Sequence, residues 1–68
     1  MTHKAFAETA RKIAKEKTAR HCFDYVCAWF KGSDRFILLN EISAELVEAG
    51  STRKATNLDL LTETLIAK

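Results

Sequence analysis

Two cysteines, two histidines and nine carboxylates are the residues of this chain that could bind a metal, attack a substrate or move a proton. Cys22 and Cys27 stand five apart, with His21 beside the first and Asp24 between them. On a helix their Cα atoms would be roughly 8–9 Å apart and their side chains would diverge, too far for a disulfide. On a strand the odd spacing puts them on opposite faces. As metal ligands, His21, Cys22 and Cys27 lack the paired Cys-x-x-Cys spacing of zinc sites, and a fourth ligand would have to be His3 or a distant acid. A nucleophilic cysteine needs a base in hydrogen-bond reach and donors for an oxyanion. His21 and Cys22 are chain neighbours whose side chains part on a helix, and no glycine-rich turn supplies donors. The expectation is two buried thiols behaving as small apolar groups. No catalysis, metal, cofactor or small-molecule ligand is expected.

The carboxylates Glu41, Glu45 and Glu48 recur at i, i+4 and i+7, which places them along one side of a helix. Such a strip is either a solvated face or an acidic surface that meets a basic partner. The cations are unevenly spread. Residues 1–21 hold six Lys/Arg against two acids, and the remainder holds five against seven. Lys4, Arg11, Lys12, Lys15, Lys17 and Arg20, with Arg53 and Lys54 further on, are the candidate contacts to a nucleic-acid backbone. A helix-turn-helix reading of the last two segments fits poorly. The recognition helix would carry Asp59 and Glu63 with no cation before Lys68, and acids repel phosphates.

Tyr25 and Trp29 lie one helical turn apart at the edge of an apolar face, and such residues often anchor protein partners. Leu38, Leu60 and Ile66 fall off the main apolar stripes. Together with the aromatic pair and the three glutamates, they are the candidate protein interface. That surplus of apolar surface also leads to the expectation of a homodimer.

The elements that position these residues can be read from periodicity. Phe6, Ala10, Ile13 and Ala14 share one face of a first helix, from about Thr2 to Glu16. Cys22, Phe23, Val26, Cys27 and Phe30 share a broad face of a second, from about Thr18 to Lys31. The two stripes lie about half a turn apart, so either the chain bends near Lys15–Ala19 or one long helix serves two different partners. Phe36, Leu39, Ile42, Ser43, Leu46 and Val47 make the stripe of a third helix, from about Asp34 to Ala49, with Ser33 or Asp34 as its cap. Leu58, Leu61 and Leu65 mark a fourth, capped by Thr56 or Asn57, with Asp59 in its first turn and Lys68 at its end. Gly32 and Gly50, the only glycines, are placed to end the second and third helices. The alternative for residues 22–40 is a β-hairpin turning at Lys31–Asp34, since Phe23, Tyr25, Cys27 and Trp29 also alternate.

The totals agree with this outline. A chain of 68 residues makes one domain, here 1–68, with 1–17 as a basic N-terminal helix and 18–68 as core helices packed on one another. The fold expected is all-α: a small bundle of three or four short helices, completed by homodimerisation. With 47% apolar residues and a net charge of +2, the chain has the means to fold. It holds no transmembrane run and no secretory h-region, so a cytoplasmic protein without membrane contact is expected. The function expected is that of a small non-enzymatic regulatory or inhibitory protein. It would bind a protein partner through the apolar and acidic surface of its helices, or alternatively nucleic acid through its basic one.

Overall fold

The computed structural model describes residues 3–66, apart from the side chain of His3. These residues form four helices: α1 (His3–Ala14), α2 (Ala19–Trp29), α3 (Gly32–Glu48) and α4 (Thr52–Ile66). The all-α bundle expected from periodicity is what forms. Residues 22–40 are helical on either side of the extended pair Phe30–Lys31, so the hairpin alternative does not occur. Thr2 and Lys68, expected at the two ends, lie outside the described residues.

Of the two alternatives for the offset stripes, the chain takes the bend and not the single long helix. Helix α1 ends at Ala14, and α2 starts at Ala19 behind Thr18, which is extended and whose Oγ1 accepts the His21 N–H at 3.1 Å. A threonine in this role satisfies one of the otherwise unpaired first-turn donors. Helix α3 ends in a Schellman turn at Gly50, where φ is +83°. The Ser51 N–H reaches the Leu46 carbonyl at 2.8 Å and the Gly50 N–H reaches Val47 at 3.0 Å. A left-handed residue closes this motif, and glycine takes that conformation without a steric penalty.

Three expected boundaries are corrected. Gly32 does not close α2, which ends at Trp29 with Phe30 as an extended cap. It opens α3 instead, with φ +63°. Neither Ser33 nor Asp34 caps α3: its N-cap is Lys31, and no side chain bonds there. Helix α4 starts at Thr52 rather than at Thr56 or Asn57, so Asp59 is not in its first turn. The run Ser51–Thr56 reads as a polar connector, but from Thr52 it is the first turn of α4, and its Ala55 is in the core at 2% exposure.

One core joins all four helices. Phe6, Ala10 and Ile13 of α1 meet Cys22, Phe23 and Val26 of α2, Leu38, Leu39, Ile42 and Leu46 of α3, and Leu58 of α4. Helix α3 is the hub, packed against each of the other three, and its main partners are α1 and α4. The basic first helix is therefore part of the core, with its thin apolar stripe laid on α3. The Cα atoms span 28 × 28 × 15 Å. Each of the four helices nonetheless keeps exposed residues along one side.

Candidate functional site

The cysteines are placed as expected for packing residues. Both are free thiols, Cys22 buried and Cys27 half-buried. Cys22 Sγ donates to the Ile13 carbonyl at 3.2 Å, helping to satisfy the C-terminal end of α1. Burial pushes the Cys22 thiol above its ordinary pKa, with the nearby Glu16 adding to the rise and the Lys54 charge opposing it. The native state thus keeps a proton that the unfolded chain gives up in alkali. Stability from this group is full below the ordinary thiol range and falls as pH rises through it. In alkylation read by mass spectrometry, native Cys22 is expected to resist modification while Cys27 reacts first. Equal labelling of the two in the native protein would contradict this burial. Among the described residues no group of three or more His, Cys, Asp and Glu comes together.

The expected protein interface is partly redrawn. Leu38 is at 0% exposure, so it belongs to the core and is removed from the surface. Tyr25 and Trp29 stand at 44% and 73% exposure, their rings 6.3 Å apart and tilted by 40°. Leu60 and Ile66 are at 56% and 68%. The three glutamates line one flank of α3: Glu48 exposed, Glu41 and Glu45 half-buried. Glu45 pairs with Arg11 of α1 at 3.6 Å, so its charge is partly met within the chain.

Two residues of this surface were not singled out by sequence reasoning. Ile37 and Val47 are 42% and 53% exposed, although Val47 was expected on the buried stripe. With Asn40 and Ala44, also exposed, they recur at i, i+3, i+7 and i+10. That is heptad spacing, and it runs about 15 Å along the side of α3 opposite its buried residues. Glu41 and Glu48 border it. The signal was present in the sequence as a second 3-4-3 stripe on the same helix.

The cations divide into free and committed ones. Lys4, Lys12, Lys15, Lys17 and Arg53 are exposed. Arg11 is held by Glu45, and Arg20 by Asp24 at 3.2 Å. Lys54 is a correction to the set of open contacts. It is half-buried, and its Nζ donates to the Ala14 carbonyl at 3.0 Å and to the Glu16 carbonyl. It clamps the end of α1 to the start of α4, and Arg35 does the same for the end of α2. Arg35 donates from Nε to Phe30 and from Nη2 to Cys27, each at 3.1 Å. Cations at the C-terminal ends of helices meet unpaired carbonyls and the negative pole of the helix dipole.

Six of these cations, Arg11, Lys15, Lys17, Arg20, Arg53 and Lys54, line three shallow grooves that share wall residues. One, between α1 and the end of α3, has Arg11, Lys15 and Ser51 on its walls. The next, of about 380 Å³, shares Ser51 and adds Lys17, Arg53 and Lys54. The third, of about 480 Å³, shares Thr18, Ala19 and Asn57 with the second and adds Arg20, Leu60 and Leu61. No protein-family model, no curated protein and no solved structure matches the chain. Among the described residues no helix is long and apolar enough to cross a membrane.

Proposed function

We propose that this is a small non-enzymatic regulatory protein that binds a protein partner through the solvent face of α3. The observation that carries the reading is the exposed Ile37–Asn40–Ala44–Val47 seam with Glu41 and Glu48 along its edge. A heptad seam is the surface a second helix packs into, and its flanking charges choose the partner. The acidic flank selects an amphipathic helix with cations beside its apolar stripe. It disfavours a second copy of α3, because antiparallel pairing about the middle of the seam sets the glutamates of one copy beside those of the other. A homodimer, proposed from the same surplus of apolar surface, is better built on the Tyr25–Trp29 pair or on Leu60 and Ile66.

The test uses a synthetic amphipathic helical peptide with leucines on one face and lysines at its flanks. Binding to the intact chain is expected, read by fluorescence anisotropy. It is expected to be lost in Val47→Asp and weakened in Glu41→Lys/Glu48→Lys. All these side chains are on the surface of the bundle, so the variants are expected to melt within a few degrees of the parent. A peptide that binds the parent and the Val47→Asp variant equally well would defeat the reading.

A further inference from the structure

We infer that the groove between the α1–α2 connection and the start of α4 is a binding site for a phosphate group. This site is separate from the α3 surface and does not rest on it. Its lining comes from parts of the chain far apart in sequence: Lys17 and Thr18 before α2, and Ser51, Arg53, Lys54 and Asn57 at the start of α4. Three of these side chains carry positive charge and none is an acid. Thr18 Oγ1 already sits 2.6 Å from His21 Nδ1 and Lys54 is held by two carbonyls, so Lys17, Arg53, Ser51 and Asn57 are the donors offered to a ligand. A groove of about 380 Å³ with that lining suits an anion with several acceptor oxygens.

The backbone adds to the same charge. Both α2 and α4 begin at this groove, so the positive ends of two helices meet there. Among the described residues, the N–H groups of Ala19 and Arg20 and of Thr52, Arg53 and Lys54 take no acceptor in the chain. The Lys54 ammonium ties the start of α4 to the end of α1 and the α1–α2 connection, because it is held by the Ala14 and Glu16 carbonyls. That leaves Lys17 and Arg53, both exposed, as the mobile cations that close on a ligand.

The groove also has a direction. Past Thr18, Ala19 and Asn57 it continues into the larger groove walled by Leu60, Leu61 and Arg20. A phosphate at the Lys17–Arg53 end leaves room for the less polar remainder of its ligand along the leucines. The chemistry required is a phosphate with an organic body, which either a nucleic-acid strand or a free nucleotide provides.

The experiment is a ¹H–¹⁵N titration of the full chain with inorganic phosphate, a mononucleotide and a short single-stranded oligonucleotide, at about 20 and about 200 mM salt. Saturable binding is expected, with amide shifts gathered at Ala19, Arg20 and Thr52–Lys54. Lys17→Glu/Arg53→Glu is expected to weaken it about tenfold or more, and Ile37→Asp to leave it unchanged. Lys4→Glu is the charge control, since Lys4 stands about 15 Å away at the far end of α1. A tighter oligonucleotide with a steep salt dependence names a nucleic-acid strand as the source, and equal affinity for the mononucleotide names a free nucleotide. Absence of saturable binding at low salt would overturn the site. So would shifts clustered elsewhere, or a loss per reversed charge that is as large at Lys4 as at Lys17 and Arg53.

Discussion

Leu38→Ala is expected to destabilise the protein by about 2–5 kcal/mol, the usual cost of emptying a leucine-sized space in a packed core. Leu38 is at 0% exposure on the helix that touches all three others, so its neighbours cannot close in without moving a whole element. Domains of this length have a total stability of roughly 3–10 kcal/mol. The substitution therefore removes a large share of the margin, and the urea midpoint is expected to fall with little change in slope. Its chain neighbour supplies the contrast. Ile37 is 42% exposed, and Ile37→Ala is expected to cost about 0.5 kcal/mol or less. Similar midpoints for the two variants would mean that α3 is rotated about its axis from the position described.

Arg35→Met is expected to cost about 1.5–3 kcal/mol, a loss as large as that of many core substitutions. Methionine retains much of the apolar stem while removing the guanidinium, so the change reads the hydrogen bonds more than the packing. The Phe30 and Cys27 carbonyls each lose a charged donor at 3.1 Å, in a part-buried setting where unpaired acceptors are costly. For a domain of this size, each kcal/mol lowers the melting temperature by about 4–8 °C, so calorimetry resolves the effect readily. An Arg35→Met protein that melts with the parent would show the clamp to be dispensable. Arg35 also explains how α2 ends without glycine or proline: the turn is held from outside by a side chain five residues further on.

The helices themselves were legible in the sequence because their apolar residues repeat at helical period. So was the break after α1, because the stripes of Phe6–Ile13 and Cys22–Val26 lie on opposite sides of one continuous helix. What periodicity could not supply was the direction of the core seen from α3. A helix packed on three sides buries a wide sector, and its centre depends on where the neighbours sit. Drawn through Phe36, Leu39 and Val47, the stripe looked regular. In the fold it is centred nearer Leu38 and Ile42, which turns Phe36 to the margin and Val47 outward. The start of α4 was hidden for another reason. Ser51–Lys54 is polar because one turn of a surface helix can be polar, and only the Gly50 turn before it marks the boundary.

The candidate contacts were legible as residue types and not as an assembly. Lys17, Arg20, Arg53 and Lys54 are visible as cations in any reading of the chain. That Lys17 shares a groove with Arg53 and Lys54, with Arg20 on the adjoining one, follows from how α4 returns past the start of α2. The division of labour among them was also invisible, since nothing in the sequence marks Lys54 as held by carbonyls and Arg53 as free.

The packing of α1 on α3 has a consequence for synthesis. Helix α1 leaves the ribosome before α3, and the surface that covers Phe6, Ala10 and Ile13 is completed only when α3 has emerged. At ordinary elongation rates of about 5–20 residues per second, that delay is on the order of seconds. A helix of this length is marginal in water alone and will unwind many times within it. Nascent chains of this protein therefore carry an uncovered apolar segment beside a dense run of cations. Of the cations that keep that segment soluble while it waits, Arg11, Lys15 and Lys17 are left around the grooves once the bundle has closed.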